Sequence, residues 1–301
     1  MFNDLIKKLQ NDRYITLETT PSHSPKFQPI IDKIDELGLQ HLVDGFSTTD
    51  NPLAKLKYNS MFAALKLQEK FNKPVLATMS MRDRNRIALQ SDLLGANEFD
   101  VRGVLALTGD AASMSDQPNA KGVFDGNSNL LLDIISCLNS GIDYAGKPLA
   151  HKPEQIYPFT VVNSFAKNPK NLQKKMQKKI QHGTLGIITQ PVYDIDNAQQ
   201  LLDLMGDAKA QERNSEAELI LGIFPITKLR TAQFLSSHVP GIHVPMSWLE
   251  ALREANEKSP EEEYKVGFEL SKKLFDDIAA IHPKIHLMTA NQFGIAKEIL
   301  S

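Results

Sequence analysis

Polar residues follow several short apolar runs of this sequence, in positions where a barrel of parallel strands would keep its site. None of these positions is a lysine, which argues against a Schiff-base aldolase. The histidines are scattered without the spacing of metal ligands, which argues against a zinc hydrolase. The residues at the ends of the apolar runs are Glu18, Thr48, Thr49, Asp50, Ser80 to Asn85, Thr108, Gly109, Asp110, Thr189, Gln190 and Pro225.

Glu18 ends an alternating run and stands where an apolar residue would be expected. One interpretation is a solvated charge at the end of a strand. The other is a general acid, partly desolvated in the mouth of a barrel.

Asp110 and Gln190 are two further side chains that could contact a ligand. Gly109, directly before Asp110, lets a planar ligand approach the backbone, although the same pair also suits a plain turn. Gln190 can donate and accept hydrogen bonds, which fits the edge of a heterocycle. Alternatively, its side chain caps a helix or a turn.

Two runs of charge have both a structural and a functional interpretation. The run from Arg82 to Arg86 is typical of a salt-bridged or solvated helix start. The lysines between Lys174 and Lys179 repeat with helical spacing, so they form a solvated helix face or a phosphate contact at the rim. The residues therefore predict a planar, phosphate-bearing ligand, with carboxylates but no evident metal or lysine chemistry.

The elements that would position these residues alternate between strands and helices. Alternating β and α units indicate parallel strands with helical crossovers. Eight such units in 301 residues favour a (β/α)8 TIM barrel over an open doubly wound sheet. We expect strands at 14–19, 41–46, 74–79, 101–107, 156–162, 185–189, 218–223 and 285–288, with helices at 27–37, 61–71, 130–138, 172–180 and 231–237.

A single barrel domain over residues 1–301 accounts for the chain. An amphipathic helix is expected at the N-terminus. Two segments exceed ordinary loop length: 110–127 after strand 4, and 240–260 after strand 7, the latter with an extra helix around Trp248. The string from Gly141 to Pro148 lacks the Ser or Thr and the preceding strand of a phosphate-binding loop, so we do not assign it that role.

The composition excludes several classes of protein. Lys and Arg number 34 and Asp and Glu 36, and the net charge of −2 argues against a nucleic-acid surface. Cys137 is the only cysteine, which excludes an internal disulfide and a cysteine-rich metal site. The N-terminus lacks a signal-peptide pattern, and no apolar stretch approaches the roughly 20 residues needed to cross a bilayer. We expect a cytoplasmic protein without nucleic-acid or membrane partners.

Eight strings at these strand ends resemble the 5,10-methylenetetrahydrofolate reductases, which are FAD-dependent (β/α)8 barrels. The strings occur in the family's order and span nearly the whole chain. They are LETTP (17–21), TDNP (49–52), RDRNRIALQSDLLGA (82–96), LTGD (107–110), GVFD (122–125), GTLGIITQP (183–191), GIFPI (222–226) and VPGI (239–242).

The resemblance implies a function and a set of roles. Glu18 matches the acid that protonates the folate so that its five-membered ring opens to a reactive iminium. Asp110 matches the acid beside flavin and pterin, where negative charge favours the developing cation. Gln190 matches a residue that contacts folate or nicotinamide.

The implied cofactor is FAD, and one face of the flavin would serve both substrates in turn. The implied substrates are 5,10-methylenetetrahydrofolate and NADH or NADPH, the product is 5-methyltetrahydrofolate, and the protein would be a homo-oligomer. The positions that match substrate-binding residues are Gln190, Leu229 and Gln292. Those that match FAD-binding residues are Thr49, Asp50, Thr78, Thr108, Gly109, Asp110, Gly122, Phe165 and Lys179.

The sequence departs from the family pattern at several of these positions. Thr78 stands where many members carry a histidine near the flavin. Leu229 stands where some members carry an aromatic residue against the substrate, and Gln292 where some carry an arginine for the folate tail. Residues 160–169 align only loosely with the flavin-contacting loop.

Two other functions compete with the flavin reductase. A metal-dependent barrel lyase would use Glu18, Asp50 and Asp110 as oxygen ligands for Mg²⁺. A flavin-free relative would bind folate, or act as a partner subunit, without catalysis.

Overall fold

Eight parallel strands close into a barrel in the computed structural model, which describes residues 1–11, 13–212, 215–239 and 241–301. Neighbouring strands pair in chain order and β8 pairs with β1, so the sheet has no open edge. The (β/α)8 TIM barrel expected from the sequence is confirmed. The strands are β1 (Tyr14–Thr19), β2 (Gly45–Thr48), β3 (Val75–Ser80), β4 (Gly103–Leu107), β5 (Tyr157–Val162), β6 (Gly186–Pro191), β7 (Glu218–Ile223) and β8 (Lys284–Leu287).

Helices connect consecutive strands around the outside of the barrel. The extra helix expected around Trp248 is present at Met246–Asn256, between the helix expected at 231–237, which runs over Leu229–His238, and a further helix at Pro260–Ile281. Pro240, the first residue of the predicted loop 240–260, lies outside the described residues. The helices are α1 (Phe2–Asn11), α2 (Gln28–Leu37), α3 (Ser60–Phe71), α4 (Arg86–Glu98), α5 (Ser128–Asn139), α6 (Pro169–Gln181), α7 (Ile195–Ala210), α8 (Leu229–His238), α9 (Met246–Asn256), α10 (Pro260–Ile281) and α11 (Phe293–Leu300).

The second strand is the one whose predicted bounds, 41–46, are wrong by several residues. Gly38 ends α2 in the left-handed conformation with φ 67°, and Leu39–His41 then form a 3₁₀ turn instead of strand. The chain reaches the sheet only when the Asp44 amide donates to the carbonyl oxygen of Ile15. Strand β2 therefore begins at Gly45, paired with Thr16 of β1.

Asparagine side chains fix the start of four of the crossover helices. Their side-chain oxygens accept hydrogen bonds from backbone amides in the first turn, which satisfies donors that lack partners within the helix. A helix that starts at a defined residue holds the preceding loop, and thus the strand end, in place. The capping residues are Asn59 for α3, Asn85 for α4, Asn127 for α5 and Asn168 for α6.

The lower half of the barrel interior is apolar and closed. Side chains from the strands fill it, and the buried face of α1 covers it from below through Phe2, Leu5 and Leu9. A ligand must therefore enter from the other end, where the carboxyl ends of the strands open to solvent. The strand residues in this cluster are Tyr14, Leu76, Leu105, Tyr157, Phe159, Ile188 and Ile220.

Within the described part of the chain, no helix is both long enough and apolar enough to span a bilayer.

Candidate active site

A cavity of about 640 Å³ opens at the carboxyl ends of the strands. This volume lies in the range of sites that bind small molecules and cofactors. Most of the residues singled out in the sequence line it, although they come from different strands and loops. They are Glu18, Thr49, Asp50, Thr78, Thr108, Gly109, Asp110, Lys179 and Gln190.

Four of the predicted site residues do not line this cavity. Gly122 lies in the loop after β4 against the ring of Phe124, and Phe165 stacks on His243 with 4.9 Å between ring centroids. Leu229 begins α8, where its amide donates to the Glu263 carboxylate, and Gln292 is exposed just before α11. These four residues lie outside the cavity, and their roles in binding stay predictions.

Glu18 stands above a buried histidine that the sequence analysis did not select. One carboxylate oxygen of Glu18 lies 3.9 Å from Nε2 of His286, and their side chains are 22% and 2% exposed. The two residues face the barrel interior from the adjacent strands β1 and β8, and both line the cavity. An acid with one side open to the cavity and the other against an imidazole can hold and deliver a proton there.

The sequence pattern that could have identified His286 is its position inside a predicted strand. It stands between the apolar residues Ile285 and Leu287, at a position that alternation directs inward. Only the pairing of β8 with β1 brings it beside Glu18, because the two residues are far apart in the chain.

Asp110 serves a structural purpose in addition to lining the cavity. One of its oxygens accepts a hydrogen bond of 2.6 Å from the Leu53 amide. Asn51, Leu53 and Ala54 in that loop all have positive φ angles between 45° and 57°. A left-handed conformation costs such residues about 1–2 kcal/mol each, so the loop needs contacts of this kind to persist.

Asp50 is committed to the protein by two strong contacts. Its Oδ2 accepts a hydrogen bond of 2.7 Å from Arg84 and one of 2.9 Å from the Ser80 amide. Burial alone would lower the pKa of the Arg84 guanidinium, but the carboxylates of Asp50 and Asp92 outweigh this effect and raise it. Asp50 therefore joins the end of β2 to the end of β3 and to the loop that follows β3.

A cationic rim, formed by Lys175, Lys178 and Lys179 of α6, lines the cavity beside the N-terminus of α5. The ammonium group of Lys179 donates to Oγ of Ser128, the first residue of α5. Burial, with a smaller contribution from Lys175, lowers the pKa of Lys179 to about 8. A helix N-terminus carries partial positive charge, so this place concentrates positive charge that an anion such as a phosphate would neutralise.

Two buried hydroxyl groups at the strand ends make no hydrogen bond in the described structure. They are Oγ1 of Thr49, after β2, and Oγ of Ser80, at the end of β3, and both residues line the cavity. Buried polar atoms are normally paired, so these two indicate where polar atoms of a ligand would lie. Together with the cationic rim, they suit a ligand that carries both a polar ring system and phosphates, as FAD does.

The carboxylates do not converge on a metal site. Across residues 1–11, 13–212, 215–239 and 241–301, no group of three or more His, Cys, Asp or Glu side chains could hold an ion. Two members of the set proposed for Mg²⁺ already have partners, since Asp50 binds Arg84 and one oxygen of Asp110 accepts from the Leu53 amide. This geometry does not support the metal-dependent lyase.

The fold and the cavity define a TIM-barrel protein whose candidate site holds a partly exposed carboxyl group beside a buried histidine, and a cationic rim. The family model described as methylenetetrahydrofolate reductase matches residues 2–301, and the chain belongs to this family. No curated protein matches the chain.

A solved structure shares the fold over nearly its whole length. It is described as an uncharacterized protein from Clostridium thermocellum that binds two copies of 5-methyl-5,6,7,8-tetrahydrofolic acid. The TM-score is 0.63 at 14% sequence identity, with 99% of this chain and 98% of that chain covered. At this identity the likeness establishes the fold alone.

Proposed function

We propose that the protein is a flavin-dependent reductase that converts 5,10-methylenetetrahydrofolate to 5-methyltetrahydrofolate with electrons from NADH or NADPH. Membership of the family supports the reaction class. The observation that carries the proposal is the position of Glu18, which opens to the cavity on one side and contacts buried His286 on the other.

The protein's own residues supply binding, a proton and a negative charge. Glu18 donates a proton to a folate nitrogen, so that the five-membered ring opens to an iminium cation. The carboxylate of Asp110 lies at the same cavity and stabilises that cation, while Gln190 donates and accepts hydrogen bonds at the edge of the pterin.

The residues of the cavity fit FAD. Lys179 and the N-terminus of α5 would hold its phosphates, and the hydroxyl groups of Thr49 and Ser80 would meet polar atoms of the cofactor. FAD, when bound, supplies the hydride transfer that no side chain can perform. Thr108, whose hydroxyl accepts a hydrogen bond from the Ser128 amide, keeps the start of α5 next to the end of β4.

Glu18→Gln tests the proposal directly, because the amide has nearly the same shape but cannot deliver a proton. Stopped-flow spectroscopy under anaerobic conditions would follow flavin reduction by NADH or NADPH, and flavin reoxidation by methylenetetrahydrofolate, as separate reactions. We expect the second to slow by about 10²–10⁴-fold and the first to survive. Glu36→Gln is the matched control, because the Glu36 side chain is exposed. An equal loss of rate in both reactions of Glu18→Gln would contradict the role of Glu18 as proton donor.

A second candidate function is a flavin-free folate-binding protein. The related structure favours it, since that protein is described as binding two copies of 5-methyltetrahydrofolate. The purified protein would then be colourless, and isothermal titration calorimetry would give two 5-methyltetrahydrofolate molecules per chain. A yellow protein that binds one folate per chain supports the reductase.

A further inference from the structure

Four polar residues of three adjacent strands meet at the floor of the cavity. In the register of the sheet, Thr16 of β1 pairs with His286 of β8, and Glu18 of β1 pairs with Ser47 of β2. Thr16, Ser47 and His286 are buried; Glu18 and His286 line the cavity, and Glu18 is the more exposed of these two. The imidazole thus lies in the layer beneath the carboxyl group.

The two ring nitrogens of His286 have different surroundings. Nδ1 lies 2.7 Å from the hydroxyl oxygen of Thr16, a good hydrogen bond. Nε2 lies 3.5 Å from the hydroxyl oxygen of Ser47 and 3.9 Å from Oε2 of Glu18. The strong contact at Nδ1 fixes the ring, and Nε2 faces both the Ser47 hydroxyl and the Glu18 carboxyl group, with the hydroxyl the nearer of the two. The gap of 3.9 Å exceeds a hydrogen bond, so a hydrogen bond between these two groups requires a rotation of the Glu18 side chain.

We infer that His286 is the positioning residue that directs the acidic proton of Glu18 into the cavity. The Thr16 hydroxyl donates to Nδ1 of a neutral ring, so that Nε2–H donates to Oε2 of Glu18. The carboxyl proton then resides on Oε1, the oxygen that does not accept from His286. This inference rests on the proposed role of Glu18 as the proton donor.

The hydrogen bond from Nε2–H of His286 orients the Glu18 carboxyl group both before and after it transfers its proton. In the transfer, the Oε1–H bond of Glu18 breaks, a bond forms between the proton and the folate nitrogen, and the electron pair stays on Oε1. The imidazole remains neutral throughout, and its Nε2–H continues to donate to the resulting carboxylate. Without this donor, either oxygen could carry the proton, and much of the population would point away from the substrate.

The tautomer of His286 can be measured without any substrate. Nuclear magnetic resonance of protein labelled with ¹⁵N-histidine separates protonated from unprotonated ring nitrogens, and His286→Gln assigns the signal among the eight histidines. We expect a proton on Nε2 and none on Nδ1. Thr16→Val removes the hydroxyl donor, and the signal should then change. A proton on Nδ1 of His286 in the wild-type protein would overturn the inference.

Kinetics test the consequence for folate reduction. His286→Leu removes the Nε2–H donor, whereas in His286→Gln an amide N–H can replace it. Because misplacement by about 1 Å can cost about 10²-fold, we expect the leucine variant to lose about that much in kcat with little change in KM. The glutamine variant should recover most of the loss.

The matched control is His282→Gln, a histidine whose Nε2 lies 2.8 Å from the Leu219 carbonyl oxygen, outside the cavity. This variant should keep the wild-type rate. A leucine variant of His286 with wild-type kcat would refute the positioning role while the reductase stands. If wild-type protein reduces no folate but carries the Nε2–H tautomer, the proposed function fails and the hydrogen-bond geometry stands.

Discussion

Three carboxylates line the cavity, and their contacts give them different freedom to act. Asp50 is held by Arg84 and the Ser80 amide, and Asp110 uses one oxygen for the Leu53 amide. Among the described residues, His286 makes the polar contact with the Glu18 carboxylate, at the long distance of 3.9 Å. Glu18 is therefore the carboxyl group best placed to exchange a proton with a ligand. Asp110 keeps a second oxygen that can face a ligand, so its negative charge can act on that ligand.

Asp110→Asn separates the charge of Asp110 from its structural contact. The amide oxygen can still accept the hydrogen bond from Leu53, so we expect the folded loop to persist and FAD to stay bound. Loss of the negative charge beside the iminium should slow folate reduction by about 10²–10³-fold, measured by stopped-flow spectroscopy.

The flavin midpoint potential should rise in the same variant, because a nearby negative charge no longer opposes reduction. Asp110→Ala is the informative comparison, since it removes the contact to Leu53 as well. If the rate of folate reduction and the flavin midpoint potential both stay unchanged in the asparagine variant, Asp110 has only a structural role, through its contact to Leu53.

At the scale of elements, the turn after β4 depends on Gly109. Its φ is +92°, and a Cβ atom there would lie 3.0 Å from Cβ of Arg82 and 3.1 Å from Cβ of Ser80. Gly109→Ala should therefore lower the free energy of unfolding by about 1–3 kcal/mol, measured by urea denaturation. Gly146→Ala is the control, because Gly146 has φ +82° with open space around its Cβ position. Equal losses would show that backbone strain alone matters and that the close approach to β3 does not.

The junction of α5 and α6 predicts a dependence of stability on pH. Lys179 has a pKa of about 8 in the folded protein against 10.5 when unperturbed. Between these values the unfolded chain holds a proton that the folded protein has released, so the free energy of unfolding should rise with pH from about 8 to about 10. In Lys179→Met the contribution of Lys179 to this rise should be absent, and the variant should be more stable than wild type at pH 7.

The same variant should lose the cofactor. Without the ammonium group, the N-terminus of α5 alone would attract the phosphates of FAD, and flavin content after dialysis should fall. A lysine that merely sits in solvent would change neither flavin content nor the pH profile, and such a result would restore the simple interpretation of the lysine run.

For the whole molecule, the apolar cluster that α1 covers and the cavity lie at opposite ends of the barrel. Leu5 of α1 is 3% exposed in the apolar cluster that closes the bottom. Leu5→Ala should lower the free energy of unfolding by about 2–5 kcal/mol, while Lys7→Ala on the exposed face of α1 should change it by less than about 0.5 kcal/mol. The dissociation constant for 5-methyltetrahydrofolate, measured on the folded protein, should not change. A parallel loss of binding would show that α1 acts on the site.

The sequence by itself determined the architecture and the end of the barrel that holds the site. Short apolar runs alternate with helical periodicity, and β1 and β7 begin and end at the predicted residues. Both signals are local, since they depend on residues that are neighbours in the chain. The start of β2 was misjudged because the run from His41 to Phe46 is apolar enough for a strand, and only the pairing of Gly45 with Thr16 sets where it begins.

The tertiary structure alone decided which of the candidate residues act together. Nothing near Glu18 in the chain indicates His286, and nothing near Asp50 indicates that Arg84 holds its carboxylate. The same structure left Gly122, Phe165, Leu229 and Gln292 outside the cavity. Side-chain contacts between distant residues depend on the register and closure of the barrel, and a periodic pattern fixes which face a residue occupies but not what it meets there.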